Sequence, residues 1–129
     1  MNNNVKIFIL VVVVLIIGSI ISVVANYNSK PIDPGKYDAF ATCLKDKGAI
    51  FYGAFWCSHC QAQKKLFGSS AKLLPYVECS TPNAVGQTQE CIDKKIVGYP
   101  TWRFADGTEL GGEVALQKLA EKTSCSLPE

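Results

Sequence analysis

The chain has no run of five or more like charges, no internal repeat, a single histidine and, outside its first thirty residues, no stretch of biased composition. Each absence removes a class of function. With Lys and Arg at 13 against 11 for Asp and Glu, the net charge of +2 supplies no electrostatic footprint for a phosphate backbone, which excludes a nucleic-acid partner. One histidine leaves little for a metal centre built on imidazole. No period of twenty to fifty residues suggests a solenoid or propeller. What remains is about a hundred residues of ordinary globular composition, enough for one small domain.

Six cysteines are present, a high and even count for 129 residues. Such density favours an oxidising compartment, where disulfides supplement a small core. Ahead of the domain, Ile7 to Ala25 runs nineteen residues without a charge, roughly 28 Å as a helix at about 1.5 Å per residue. That suits an uncleaved membrane anchor. A cleaved signal peptide is the alternative, with Lys6 as leader and Val23 and Ala25 as cleavage site, but secretory apolar cores are usually shorter. Lys6 on one side and Lys30 and Lys36 on the other leave the positive-charge rule undecided. The cysteine count puts the domain on the extracytoplasmic side, periplasmic or extracellular. The expected division is residues 1–30 as anchor or signal segment and start of the tether, and 31–129 as the domain; Asn26 to Pro34 reads as the tether.

Within the domain, Asp33 and Pro34 can open a helix whose stripe is Tyr37, Phe40, Ala41 and Leu44, stopping at Gly48. Ala49 to Phe55 is short, apolar and aromatic, as a buried strand would be. A second helix starts at Cys57 with Ala62, Leu66 and Phe67 as its apolar stripe and Gly68 as its stop. Pro75 to Cys79 is a candidate strand, and a polar loop through Gly86 leads to a short helix carrying Cys91, Ile92 and Ile96. Thr101 to Phe104 and Thr108 to Leu110 flank Asp106 and Gly107, a hairpin signal. Ala115, Leu116, Leu119 and Ala120 predict a final helix. The order is β-α-β and then β-β-α, an α/β domain with a central mixed sheet and flanking helices.

The sequence Trp56-Cys57-Ser58-His59-Cys60 falls at the junction of a predicted strand and helix, a context in which a two-residue cysteine spacing signifies redox chemistry. Further on, Gly98-Tyr99-Pro100-Thr101 resembles the proline loop that faces the active disulfide in thioredoxins. Together with Tyr52 to Cys60, Pro75 to Cys79 and Gly98 to Trp102, these stretches resemble the thioredoxin-like domain fused to bacterial homologues of vitamin K epoxide reductase, across nearly all of residues 37 to 123. The resemblance implies a thioredoxin-like fold, disulfide exchange with cysteine-containing secreted proteins, and reoxidation by a quinone-linked membrane partner; no cofactor is expected. It also implies that Pro100 is cis and that the backbone beside it receives substrate as an added strand, with Tyr99 and Trp56 flanking the groove. One apolar segment cannot itself form a multi-helix bundle, so the membrane partner is expected to be separate.

The chemistry explains the residue types. At a helix start, the Cys57 sulfur meets unpaired backbone N–H groups and the positive end of the helix dipole, which favour thiolate over thiol. Protonated His59 would add to that effect, and Ser58 shares the same turn. A stabilised thiolate makes the disulfide a stronger oxidant, so the expected activity is that of a dithiol oxidant, with Cys60 as the partner sulfur. The alternatives are a disulfide reductase and a binding module that uses the groove without turnover. Thioredoxins carry a buried Asp six residues before the first cysteine, where this chain has Phe51. Glu78 could substitute, or could be an exposed strand-end carboxylate.

A zinc site on Cys57 and Cys60, completed by His59, Cys79 or Cys91, would usually want a second closely spaced pair, and none exists. The expectation is no metal. Once Cys57 and Cys60 are joined, the other four cysteines admit three pairings. Cys79 with Cys91 would tie strand to helix across the polar loop, and the resembled family carries cysteines in both places; Cys43 would then pair with Cys125 or stay a buried free thiol. Trp102 and Phe104 read as core, and Lys64 and Lys65 as a solvated helix face.

Overall fold

The structure is a computed structural model that describes residues 1–28 and 35–129. The chain falls into two compact units, Met1–Asp33 and Pro34–Glu129, described in turn.

The first unit is one helix, α1 (Asn3–Asn28). Its segment Asn3–Ser22 is long and apolar enough to cross a bilayer by length and composition, a test that a signal sequence also passes. Two of its serine hydroxyls are satisfied internally: Ser19 Oγ donates to the Leu15 carbonyl at 2.7 Å and Ser22 Oγ to the Gly18 carbonyl at 2.9 Å. The helix runs on to Asn28, past Asn26, where the tether is predicted to begin. An asparagine costs a few tenths of a kcal/mol in a helix already nucleated upstream, too little to end it. The rest of that tether, and the predicted cap at Asp33 and Pro34, lie outside the described residues.

In the second unit, α2 (Asp38–Asp46) buries Phe40, Ala41 and Leu44 on the stripe that their spacing predicts. β1 (Ile50–Gly53) leads to α3 (Ser58–Leu66), a 3-10 helix (Gly68–Leu73), and β2 (Tyr76–Glu78). α4 (Gln89–Asp93), the hairpin of β3 (Thr101–Arg103) and β4 (Glu109–Gly111), and α5 (Leu116–Thr123) complete the chain. The four strands order as β2-β1-β3-β4, with β1 and β2 parallel and the other pairs antiparallel. This is a thioredoxin-like fold.

Register explains the core. Phe51 stands opposite both Tyr76 and Trp102, and the three rings form a ladder on one sheet face, with centroids 5.3 and 4.9 Å apart. Phe67 and then Phe40 extend it into the helical layer. On the opposite face, Tyr52 packs with Cys79, Cys91 and Ile96. At the hairpin, Gly107 takes φ +80°, a left-handed value that suits glycine, while the Asp106 carboxylate accepts from the Thr108 N–H at 3.0 Å. Lys122 first, and Thr108 second, hold that carboxyl well below the usual range.

Two disulfides close the unit. Cys43–Cys125 joins α2 to the segment after α5 over 82 residues, and Cys79–Cys91 joins the end of β2 to α4 over 12. Chain entropy alone gives such loops roughly 4.5 and 3 kcal/mol of stabilisation.

Two predicted apolar stripes differ. Leu66 and Ile92 are exposed, while Gln63 is completely buried. In α4 the disulfide fixes Cys91 inward, so Ile92, a hundred degrees further round, faces out. Along α3 and its C-cap, Cys60, Gln63 and Phe67 form the inward face at i, i+3 and i+7. Gln63 is accommodated because its amide pairs with the backbone of Val114, donating to the carbonyl at 3.0 Å and accepting from the N–H at 2.6 Å.

Candidate active site

Cys57 is the N-cap residue of α3, in extended backbone conformation, and its sulfur accepts the Cys60 N–H at 3.2 Å. The sequence makes this junction sharp: the Cys57 N–H closes a turn onto the Ala54 carbonyl at 3.0 Å, and the Gln61 N–H begins the helix on the Cys57 carbonyl at 3.1 Å. Both cysteines are unpaired thiols and buried, Cys57 at 7% exposure and Cys60 at 1%. Burial, and then the hydrogen bond and charge of Cys57, push the Cys60 thiol up to about 12, with the Ala54 backbone and Lys64 acting the other way.

Register brings the second element to the same place. Tyr52 pairs with Thr101 across β1 and β3, so Pro100 falls opposite Gly53, at the end of the sheet from which the chain continues to Cys57. The Tyr99–Pro100 bond is cis, and the Pro100 carbonyl accepts the Gly112 N–H at 2.9 Å. Trp56, half exposed, meets the Tyr99 ring edge-on at 6.1 Å, and its indole N–H donates to Ser80 Oγ at 2.8 Å. Tyr99 is held in turn by Gln87, whose amide donates to its hydroxyl at 2.7 Å and to the Ile96 carbonyl at 2.8 Å.

Ser58 and His59 are exposed on the first turn of α3. His59 Nδ1 lies 2.6 Å from Glu113 Oε1, so the imidazole is paired with a carboxylate from the segment before α5.

Beneath the pair, the structure departs from both readings of the polar residues. Glu78 is half-buried and fully engaged: Oε1 accepts from Phe55 N–H at 3.2 Å and Ser80 N–H at 2.8 Å, and Oε2 accepts from the Tyr76 hydroxyl at 2.7 Å. Lys64, expected on a solvated face, stands with Nζ 3.3 Å over the Tyr76 ring centroid. Tyr76 itself is raised well above its ordinary value by burial first and the Glu78 hydrogen bond second. Phe51 is wholly buried in the aromatic ladder, so the side chain at that position presents only ring carbon.

The zinc ligand set weighed from sequence is not assembled, since Cys79 and Cys91 are bonded to each other. Among the described residues, no group of three His, Cys, Asp or Glu is placed to hold a metal ion. Sequence reading missed Tyr76, Ser80, Gln87 and Glu113. Only Tyr76 and Ser80 carried a signal, as near neighbours of Cys79; Glu113 reaches His59 from 54 positions away.

No family model matches the chain. Over 95 residues it is 46% identical to the thiol-disulfide oxidoreductase LTO1 of Arabidopsis thaliana, a match covering 70% of this chain and 25% of that protein. The chain thus spans about a quarter of the length of the curated relative it matches.

Proposed function

We propose that this domain is an extracytoplasmic thiol–disulfide oxidoreductase that exchanges disulfides with cysteine-containing proteins, working as a dithiol oxidant through Cys57 and Cys60. The observation that carries the reading is the position of Cys57: its sulfur caps α3 and accepts the N–H of Cys60, whose own thiol lies buried one turn on. In the cycle, a substrate thiolate attacks Cys57 and displaces Cys60; the substrate's second thiolate then releases the product disulfide and leaves Cys57 and Cys60 reduced. The Arabidopsis relative, a thiol-disulfide oxidoreductase by name, agrees with this chemistry.

Trp56, Tyr99 and cis Pro100 form the groove that receives the client, and Ser58 and His59 tune the first turn. Two disulfides support an oxidising compartment, hence a domain on the outer side, and the apolar α1 supports a membrane anchor. Reoxidation then falls to a quinone-linked membrane protein. One observation favours the reverse direction, disulfide reduction: Glu113 offsets the charge that His59 would otherwise lend to a Cys57 thiolate.

The test is a Cys60→Ala variant expressed in its own membrane. It should accumulate mixed disulfides with client proteins, and these should vanish when Cys57→Ser is added. A variant that binds the same partners with or without Cys57 would make the domain a binding module. A measured potential near about −270 mV would overturn the oxidant direction and leave exchange intact.

A further inference from the structure

Each turnover of the proposed chemistry obliges Cys60 to exchange a proton, and its sulfur is almost sealed from water, at 1% exposure. The surroundings of that sulfur show where the proton can go. A Cβ on Gly53 would lie 2.9 Å from Tyr76 Cε2 and 3.1 Å from Cys60 Sγ, so sulfur and ring edge face each other across a bare Cα. Cε2 adjoins the ring carbon that bears the hydroxyl, and the hydroxyl donates to Glu78 Oε2 at 2.7 Å. The other carboxylate oxygen is fixed by the N–H groups of Phe55 and Ser80. The titratable and charged groups that act on Cys60 are Cys57 and Lys64 from α3 and Tyr76 from β2, with Glu78 one hydrogen bond further on, at the Tyr76 hydroxyl; Gly53 of β1 and Ala54 after it carry no titratable group. Glu78 is the carboxylate that this hydroxyl reaches.

We infer that Tyr76 and Glu78 are a positioning pair that relays the proton of Cys60, the tyrosine hydroxyl handing it to and from the carboxylate. The inference rests on the redox reading above and deepens it. When a mixed disulfide on Cys57 is resolved by Cys60, the Cys60 S–H bond breaks, its proton passes to the Tyr76 oxygen, and the tyrosine proton passes to Glu78 Oε2. The electron pair left on Cys60 forms the bond to Cys57 while the Cys57–client bond breaks, its pair leaving on the client sulfur. The client sulfur is reduced and the two cysteines are oxidised. In the oxidant direction the same path runs backwards, and the Glu78 carboxylic acid reprotonates Cys60 as it departs. A thiol held near 12 and a tyrosine raised above its ordinary value both surrender protons slowly to bulk water, whereas a carboxylate hydrogen-bonded to the hydroxyl offers an acceptor on site. Lys64 over the ring steadies the negative charge that passes beneath it.

The experiment uses the full chain in detergent micelles, with thionitrobenzoate as a chromophoric mixed disulfide on Cys57. Its formation reports Cys57, and its later release reports attack by Cys60, each followed across pH. In Tyr76→Phe and Glu78→Gln, release should slow by about tenfold or more, the low side of a general acid–base contribution, while adduct formation slows far less. The double variant should be no slower than the slower single one. Release profiles that superimpose on the unaltered protein, or equal slowing of both steps as a merely structural role would give, overturn the relay. Failure of Cys57 to form any adduct is a separate readout, and it defeats the redox reading itself.

Discussion

Gln63 is the buried polar residue whose loss has the most legible cost. Gln63→Leu keeps the volume and removes both bonds to Val114, leaving a buried N–H and a buried carbonyl unpaired. Each orphaned group costs about 1–3 kcal/mol, so after the small apolar gain of leucine a loss of about 2–4 kcal/mol is expected. For a domain of this size that lowers the melting temperature by roughly 10–25 °C. Gln63→Glu sharpens the argument. A protonated glutamate can reproduce both bonds, but an ionised one sets its charge against the Val114 carbonyl in a site without solvent, so its folded pKa must rise above the unfolded value of about 4.3. The sign follows: the variant matches the glutamine protein below that unfolded value and loses stability as pH climbs from there to the raised folded value. Thermal unfolding of the full chain in detergent, followed by tryptophan fluorescence over a pH series, reads both effects. A leucine variant within about 0.5 kcal/mol of the parent, or a glutamate variant with no pH slope relative to it, would refute the claim that this amide holds Val114.

Gly53→Ala should be destabilising by about 1–3 kcal/mol through overpacking against Tyr76 and Cys60, and should slow release of a Cys57 adduct; denaturant titration with stopped-flow release checks both. His59→Ala should leave Glu113 without its imidazole partner and lower the redox potential, within the range of about 20 mV that a surface ion pair can supply. Adding Glu113→Ala should restore it, and equilibration with glutathione measures each variant. Replacing Cys43 and Cys125 together by serine should cost about 2–5 kcal/mol and leave exchange at Cys57 in place, as insulin reduction and thermal unfolding would report.

How much of this was legible in the sequence depends on how locally each feature is decided. The stripe of Phe40, Ala41 and Leu44, the Asp106–Gly107 hairpin and the start of a helix at Cys57 all follow from residues within one turn of each other, and periodicity or turn chemistry is enough to find them. Gln63 and Ile92 misled the pattern because their surroundings come from elsewhere: Val114 arrives 51 positions later to satisfy the amide, and a covalent bond from Cys79 dictates which face of a five-residue helix turns inward. At the site, the sulfurs and the proline loop stand out by residue type. The polar groups around them do not. Tyr76, Glu78 and Ser80 are ordinary strand-end residues until the parallel register with β1 sets Tyr76 against Phe51 and brings Glu78 and Ser80 to Phe55 and Trp56. His59 could be read as a free cation only because its partner is 54 residues distant.

Cys79 sits between Glu78 and Ser80, and these neighbours hold Phe55 and Trp56 respectively. The bridge to Cys91 therefore fastens the rim of the cleft as well as the fold. A milieu strong enough to open that bridge would unseat the indole and the carboxylate even if it left the reactive thiols chemically untouched. Loss of competence on reduction would then come from a wall giving way, and restoring the oxidant alone would not reverse it until the second bridge had also closed.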